Sequence, residues 1–179
     1  MKFRPIEWSR DHTALRNLDA SLVSDRVYAV RRTTMAVSLI EKVCSPPLTE
    51  RYEMALTKKA VATAAFTVVA HENTALAGFA AVRQLTGNRR AVITDFFVAP
   101  RFRRRGLGTK MMKQLCRHVA ATNARVLWVE TQNINFPAIT FYRSLGFEIC
   151  GFDTTLYDAP LAAEAAVFLS KPIIRKQAG

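Results

Sequence analysis

From Asp95 to Thr109 the chain reads Asp-Phe-Phe-Val-Ala-Pro-Arg-Phe-Arg-Arg-Arg-Gly-Leu-Gly-Thr. An apolar strand ends at Pro100. A basic loop follows, with Arg101, Arg103, Arg104 and Arg105, and a helix can begin at Gly106 and Gly108. The first N–H groups of a helix have no partner within it, and its dipole favours an anion there. Glycines let a phosphate come close to the backbone, and arginines add charge-assisted hydrogen bonds. These parts describe a turn able to hold a pyrophosphate. Two familiar phosphate loops do not fit. G-x-x-x-x-G-K-[ST] is absent, and G-x-G-x-x-G fails because Met111 stands where the third glycine belongs. The plainer alternative is a helix start with solvated arginines.

The surrounding pattern predicts the elements that position this turn. Leu107, Met111, Met112, Leu115 and Val119 form one apolar face of a helix from Gly106 to about Ala121. Arg125 to Thr131 reads as a strand. Pro137 suits the first turn of a helix that Gly146 stops after Leu145. Phe147 to Tyr157, with a bend at Gly151, and Glu164 to Ser170 read as strands. Upstream, Val61–Ala70, Leu76–Gln84 and Arg90–Val98 read as an antiparallel meander, with turns at His71-Glu72-Asn73 and Gly87-Asn88. Nearer the start, Phe3–Glu7 is a short strand and Asp11–Val23 a helix. Val27–Arg31 and Met35–Ile40 are strands, and Ser45-Pro46-Pro47 breaks regular structure. Strands followed by β-helix-β-helix-β imply an α/β (α+β) fold, a mixed sheet with helices packed on it.

The length of 179 residues suits a single domain, 1–179, and half of the residues being apolar allows a sizeable core. Seven glycines and seven prolines are too few for a low-complexity chain. No stretch approaches the ~20 apolar residues of a membrane span. Met1 to Glu7 lacks the apolar run of a secretion signal. The expectation is a soluble, cytoplasmic protein with no membrane partner. Lys and Arg number 26 against 14 Asp and Glu, a formal +12, which favours anionic partners without choosing among them. Cys44, Cys116 and Cys150 form no C-x-x-C pair and read as buried thiols. His12, His71 and His118 show no ligand spacing, so no metal is expected. Trp128 and the phenylalanines read as core.

Arg103-x-x-Gly106-x-Gly108 resembles the R/Q-x-x-G-x-G/A signature of the GNAT superfamily of N-acetyltransferases, which bind acetyl-CoA. Asn135-x-x-Ala138-x-x-x-Tyr142-x-x-x-Gly146-Phe147 resembles the segment that closes that family's cofactor site. More narrowly, Glu130-Thr131-Gln132-Asn133-Ile134-Asn135, Phe141-Tyr142, Gly151-Phe152-Asp153 and Leu156-Tyr157 resemble the streptothricin acetyltransferases. Weaker echoes reach the N-terminal half, at Leu18 to Ser21, Val27-Tyr28 and Pro46 to Leu48. The resemblance implies the GNAT fold, a central, mostly antiparallel sheet flanked by helices and splayed at the acetyl-CoA site.

It also implies roles. Phe96 and Val98 would meet acetyl-CoA through their backbone. Arg103, Arg104, Arg105, Gly106, Leu107, Gly108 and Thr109 would cradle its pyrophosphate. Asn135, Ala138 and Phe141 would complete the cofactor site, and Tyr142 would protonate the departing thiolate. The acceptor is an amine, mostly protonated near neutral pH, so a carboxylate acting through water can take its proton. Glu130 matches the position of a water-activating Glu in several family members, and Asp95 is the rival base. Asp153 either contacts a cationic substrate or shapes a turn.

The resulting expectation is acetyl transfer from acetyl-CoA to a primary amine of a small molecule, such as the β-lysine amine of a streptothricin-type antibiotic. Such an activity would confer antibiotic resistance. A protein or peptide N-acetyltransferase is the near rival on the same scaffold. A basic nucleic-acid-binding module and an acetyl-CoA sensor without turnover are further alternatives. No helix-turn-helix, RRM or zinc-finger pattern supports the nucleic-acid reading, and CoA phosphates already account for the clustered arginines. Dimers are common on this scaffold, so a homodimer is possible.

Overall fold

The computed structural model describes residues 1–52, 56–157 and 164–174. In chain order it contains β1 (Lys2–Arg4), α1 (Trp8–Arg16), β2 (Ser21–Arg32), β3 (Val37–Arg51), α2 (Lys58–Thr63), β4 (Phe66–Glu72) and β5 (Ala75–Leu85). There follow β6 (Arg90–Val98), a short 3-10 turn at Pro100–Phe102, α3 (Leu107–Ala120), β7 (Val126–Gln132), α4 (Phe136–Ser144), β8 (Glu148–Asp153) and β9 (Ala166–Pro172). The fold is mixed α/β with a mostly antiparallel sheet and flanking helices. The chain forms two compact units.

The first unit comprises Met1–Ser21 and Arg51–Trp128, with the chain from Pro172 onward. Its strand order is β1-β4-β5-β6 and then the start of β7. The meander β4-β5-β6 is antiparallel, as the turn residues predict. Ile6, Leu15, Leu56, Val69, Leu76 and Phe79 form one core cluster. The helix α3 buries Leu107, Met111, Met112, Leu115 and Val119, the face that its spacing predicts. It packs against β4, β5 and β6. Close approach needs Gly78, because a Cβ there would lie 2.5 Å from the Phe97 carbonyl oxygen and 3.2 Å from Met111 Sδ.

The second unit comprises Leu22–Glu50 and Val129–Lys171. It holds the end of β7, ordered β7-β9-β8, and the two-stranded ribbon β2-β3. The helix α4 buries Ile139 and Tyr142. The Tyr142 ring lies 5.4 Å from that of Phe147.

Several elements depart from the sequence expectation. The first helix starts at Trp8 and ends at Arg16. Beyond it, the Asp19 carboxylate accepts from the Ser21 N–H at 2.9 Å, a local turn that competes with helix continuation. Lys58–Thr63 form a helix that takes in residues 61–63 of the expected strand, because Thr57 Oγ1 caps it by accepting from the Ala60 N–H at 3.1 Å. The strand expected from Val61 therefore begins at Phe66. The two short strands near the start are parts of a long ribbon, and β3 runs straight through Ser45-Pro46-Pro47. A two-stranded ribbon has open edges, where a missing N–H leaves no ladder bond unmade. In β8 the register with β9 slips between Ile149 and Gly151, leaving Cys150 out of the pairing just before the expected bend. Cys150 is exposed and Cys44 and Cys116 are half-buried, so the thiols are not core groups. His71 belongs to β4 and not to a turn, and His118 stacks on Phe66 at 4.5 Å. No helix among the described residues is long and apolar enough to cross a membrane. They include no group of three or more His, Cys, Asp or Glu able to hold a metal ion.

Candidate active site

The first unit holds the predicted turn. Strand β6 brings Phe96 opposite Ala80 and Val98 opposite Gly78. The chain then reverses through Arg104 (φ 59°) and Gly106 (φ 75°), both left-handed. Arg104 tolerates that conformation at some cost, whereas Gly106 adopts it freely. The first intrahelical bond of α3 runs from the Lys110 N–H to the Gly106 carbonyl at 3.1 Å. The N–H groups of Leu107, Gly108 and Thr109 precede it, and no side chain caps this terminus. A helix start of this kind suits an anion.

Arg103 departs from the expected cradle. Its Nε donates to the Val98 carbonyl at 2.8 Å and an Nη to the Ser21 carbonyl at 2.7 Å. The guanidinium is half-buried and braces the end of β6 against the start of β2. Burial lowers its pKa, and the charge of Asp19 offsets only part of the fall. Arg105 donates twice to the Glu72 carboxylate, at 2.8 and 3.2 Å, on the surface. Arg104 is exposed, and no ion pair among the described residues engages it. Asp95 is half-buried on β6. Burial raises its pKa, and a bond from Thr94 offsets part of the rise.

The second unit groups Glu130, Asn135, Ala138, Phe141 and Tyr142. Asn135 caps α4, its Oδ1 accepting from the Ala138 N–H at 3.1 Å. Tyr142 is buried, and the Phe141 ring lies 5.5 Å from its own. Burial pushes its phenol well above the ordinary tyrosine pKa, and the nearby Glu130 charge pushes it further. Tyr142 therefore stays protonated throughout the neutral range, as a proton donor must. Glu130 is half-buried on β7. Burial raises its carboxyl, while a hydrogen bond from the Tyr157 hydroxyl opposes the rise. Asp153 shapes a turn, its Oδ1 accepting from the backbone N–H and hydroxyl of Thr155 at 2.8 and 2.7 Å.

Some partners carry no sequence expectation. Tyr157 donates to Glu130 Oε1. Gln132 Nε2 donates to Glu164 at 2.7 Å, and the Glu164 carboxyl is raised, first by burial and also by the charge of Glu50. Asn133 is buried. It donates to the Tyr28 carbonyl at 2.6 Å and accepts from the Ala165 N–H at 2.7 Å. The available signal was the change along β7 from Leu127-Trp128-Val129 to Glu130-Thr131-Gln132-Asn133. Polar groups on both faces of a strand end need partners.

The sequence model of the acetyltransferase (GNAT) family matches residues 34–147. The chain belongs to this family. It is an N-acetyltransferase, and its similarity to one group extends over almost its whole length. A streptothricin acetyltransferase of Streptomyces lavendulae is 33% identical over 171 residues, 90% of each chain. The crystal structure of a nourseothricin acetyltransferase superposes with a TM-score of 0.87 at 33% identity, covering 97% of this chain and 98% of that one. A ribosomal protein bS18 alanine N-acetyltransferase of Salmonella typhimurium is 31% identical over 83 residues, 46% of this acetyltransferase and 56% of the relative.

Proposed function

We propose that this N-acetyltransferase takes acetyl-CoA as its cosubstrate and acetylates a primary amine of a cationic small molecule of the streptothricin type. The single observation that carries the reading is that one unit holds a buried Tyr142 phenol on α4 and a half-buried Glu130 carboxylate on β7, close enough for the Glu130 charge to raise the phenol. They can serve as proton donor and proton acceptor for one transfer. The near-full-length likeness to a streptothricin acetyltransferase supports the substrate class.

The left-handed turn at Arg104 and Gly106, with the N–H groups of Leu107, Gly108 and Thr109, fits a pyrophosphate. Arg104 and Arg105 would add charge at its rim, Arg103 would hold the loop, and the Phe96 and Val98 backbone would align the pantetheine. Asn135, Ala138 and Phe141 set the start and face of α4. Acetyl-CoA, when bound, supplies an activated acyl thioester. Glu130 takes the proton that the amine must lose, directly or through water. Tyr142 gives a proton to the sulfur that leaves. Asp95 is the secondary candidate for the base. Glu130 and Glu164 are in no ion pair among the described residues, so they can attract a cationic acceptor despite the net charge of +12. The chain would act as a single catalytic domain in the cytoplasm, with a homodimer as its proposed assembly.

The test incubates purified protein and acetyl-CoA with streptothricin, polyamines, aminoglycosides, and peptides bearing lysine or an N-terminal alanine. Mass spectrometry reads the products. Gain of one acetyl group on streptothricin, with slower reaction of the others, is expected. Preferential modification of a peptide would replace the small-molecule reading with protein acetylation.

A further inference from the structure

We propose that Tyr157 is a positioning residue for acetyl transfer, its phenol fixing the Glu130 carboxylate so that one oxygen remains turned to the acceptor amine. The proposal rests on the reading of Glu130 as the base.

The geometry comes from the end of β7. Glu130 and Gln132 lie two residues apart and share one face of the strand. Each is engaged by a residue that sequence reasoning left without a role. Tyr157 donates to Glu130 Oε1, and Glu164 accepts from Gln132 Nε2 at 2.7 Å. Tyr157 is itself half-buried. Glu130 Oε2 has no partner among the described residues, so it is the oxygen free to accept a proton.

A carboxylate on a long side chain samples several rotamers, and a proton acceptor must be held within hydrogen-bond reach of its donor. A phenol bound to one oxygen restricts those rotamers and leaves the second lone-pair set presented. The bond also favours the charged carboxylate, opposing the effect of burial. The titratable groups that face Glu130 among the described residues are Tyr157, beyond β8, and Tyr142 on α4. Tyr142 stays neutral, so removal of the Tyr157 hydroxyl leaves Glu130, among the described residues, without a group that stabilises its charge. Its pKa must then rise, and the active, deprotonated fraction at acidic pH must fall.

The experiment uses full-length protein carrying carboxyl-labelled glutamate. The Glu130 carboxyl carbon is assigned by its loss in Glu130→Gln and titrated by NMR in the wild type and in Tyr157→Phe. The pH dependence of kcat/KM is measured beside it. The expected result is a Glu130 midpoint about one pH unit higher in Tyr157→Phe. The acid limb of kcat/KM should move by the same amount, and Tyr157→Phe should cost nothing further in a Glu130→Gln background. An unmoved midpoint overturns the proposal, as does an unmoved limb in an active enzyme. If no amine is acetylated, the proposed function fails, while the NMR midpoint still decides the role of Tyr157. Should Tyr157→Phe fold poorly, 3-fluorotyrosine at position 157 keeps the ring and makes a stronger donor. It should lower the midpoint, and no change would again overturn the proposal.

Discussion

Replacing Arg103 by alanine separates its two possible roles. The guanidinium donates to the Val98 and Ser21 carbonyls at 2.8 and 2.7 Å from a half-buried position. A hydrogen bond from a charged donor contributes ~1.5–3 kcal/mol. Water can reach part of this site in the variant and replace some of that loss. The expected net destabilisation is about 2 kcal/mol, which lowers the melting temperature of a chain of this size by ~4–8 °C. The assay is thermal melting with and without acetyl-CoA, together with calorimetric titration of the cofactor. Arg103→Ala should melt early in both conditions, whereas Arg104→Ala should keep the wild-type melting temperature and bind acetyl-CoA more weakly. An Arg103→Ala variant that keeps its stability and loses only cofactor affinity would show that Arg103 does not brace the loop.

Three other outcomes follow from the same geometry. Burial raises the Asp11 carboxyl, but two bonds from Arg4 and one from the Glu7 N–H outweigh it and hold its pKa below the ordinary value. Arg4→Ala should cost about 3 kcal/mol in urea unfolding at pH 7. In the wild type that stability is complete above the ordinary aspartate pKa and disappears as pH falls through the lowered one, so the difference between the proteins should shrink in acid. Gly78→Ala must push the Phe97 carbonyl or Met111 aside, at a cost of about 1–3 kcal/mol. Because Gly78 pairs with Val98, weaker acetyl-CoA binding should accompany the lower melting temperature. Glu130→Gln should lower kcat by ~100-fold or more. It should also abolish an acid limb that lies above the ordinary glutamate pKa, where burial places Glu130 in the wild type.

The half of the chain beyond Arg90 was legible because its punctuation is local. Pro100 and Pro137 fix their own φ, Gly106 and Gly146 permit the left-handed turns at the helix ends, and the apolar face of α3 repeats at helical spacing. The ends of β6, α3 and α4 accordingly fall within a residue or two of the expectation. The N-terminal half was harder to read. The β2-β3 ribbon is largely exposed, so it lacks the apolar alternation that marks a half-buried strand. A six-residue helix such as α2 depends on one cap. The site divided along similar lines. Glycines and arginines in sequence announced an anion turn, but nothing local showed that Arg103 would reach back to Ser21. The bond from Tyr157 to Glu130 likewise spans 27 positions, and only the folded chain brings the two together.

The most direct test of the account follows release of the CoA thiol and the mass of streptothricin together, for wild type and for Tyr142→Phe, at matched occupancy by acetyl-CoA. The predicted result is one acetyl group on streptothricin for each thiol released by the wild type. Tyr142→Phe should bind acetyl-CoA normally yet turn over ~100-fold more slowly or worse. Streptothricin left unmodified by the wild type, or Tyr142→Phe transferring acetyl groups at the wild-type rate, would contradict it.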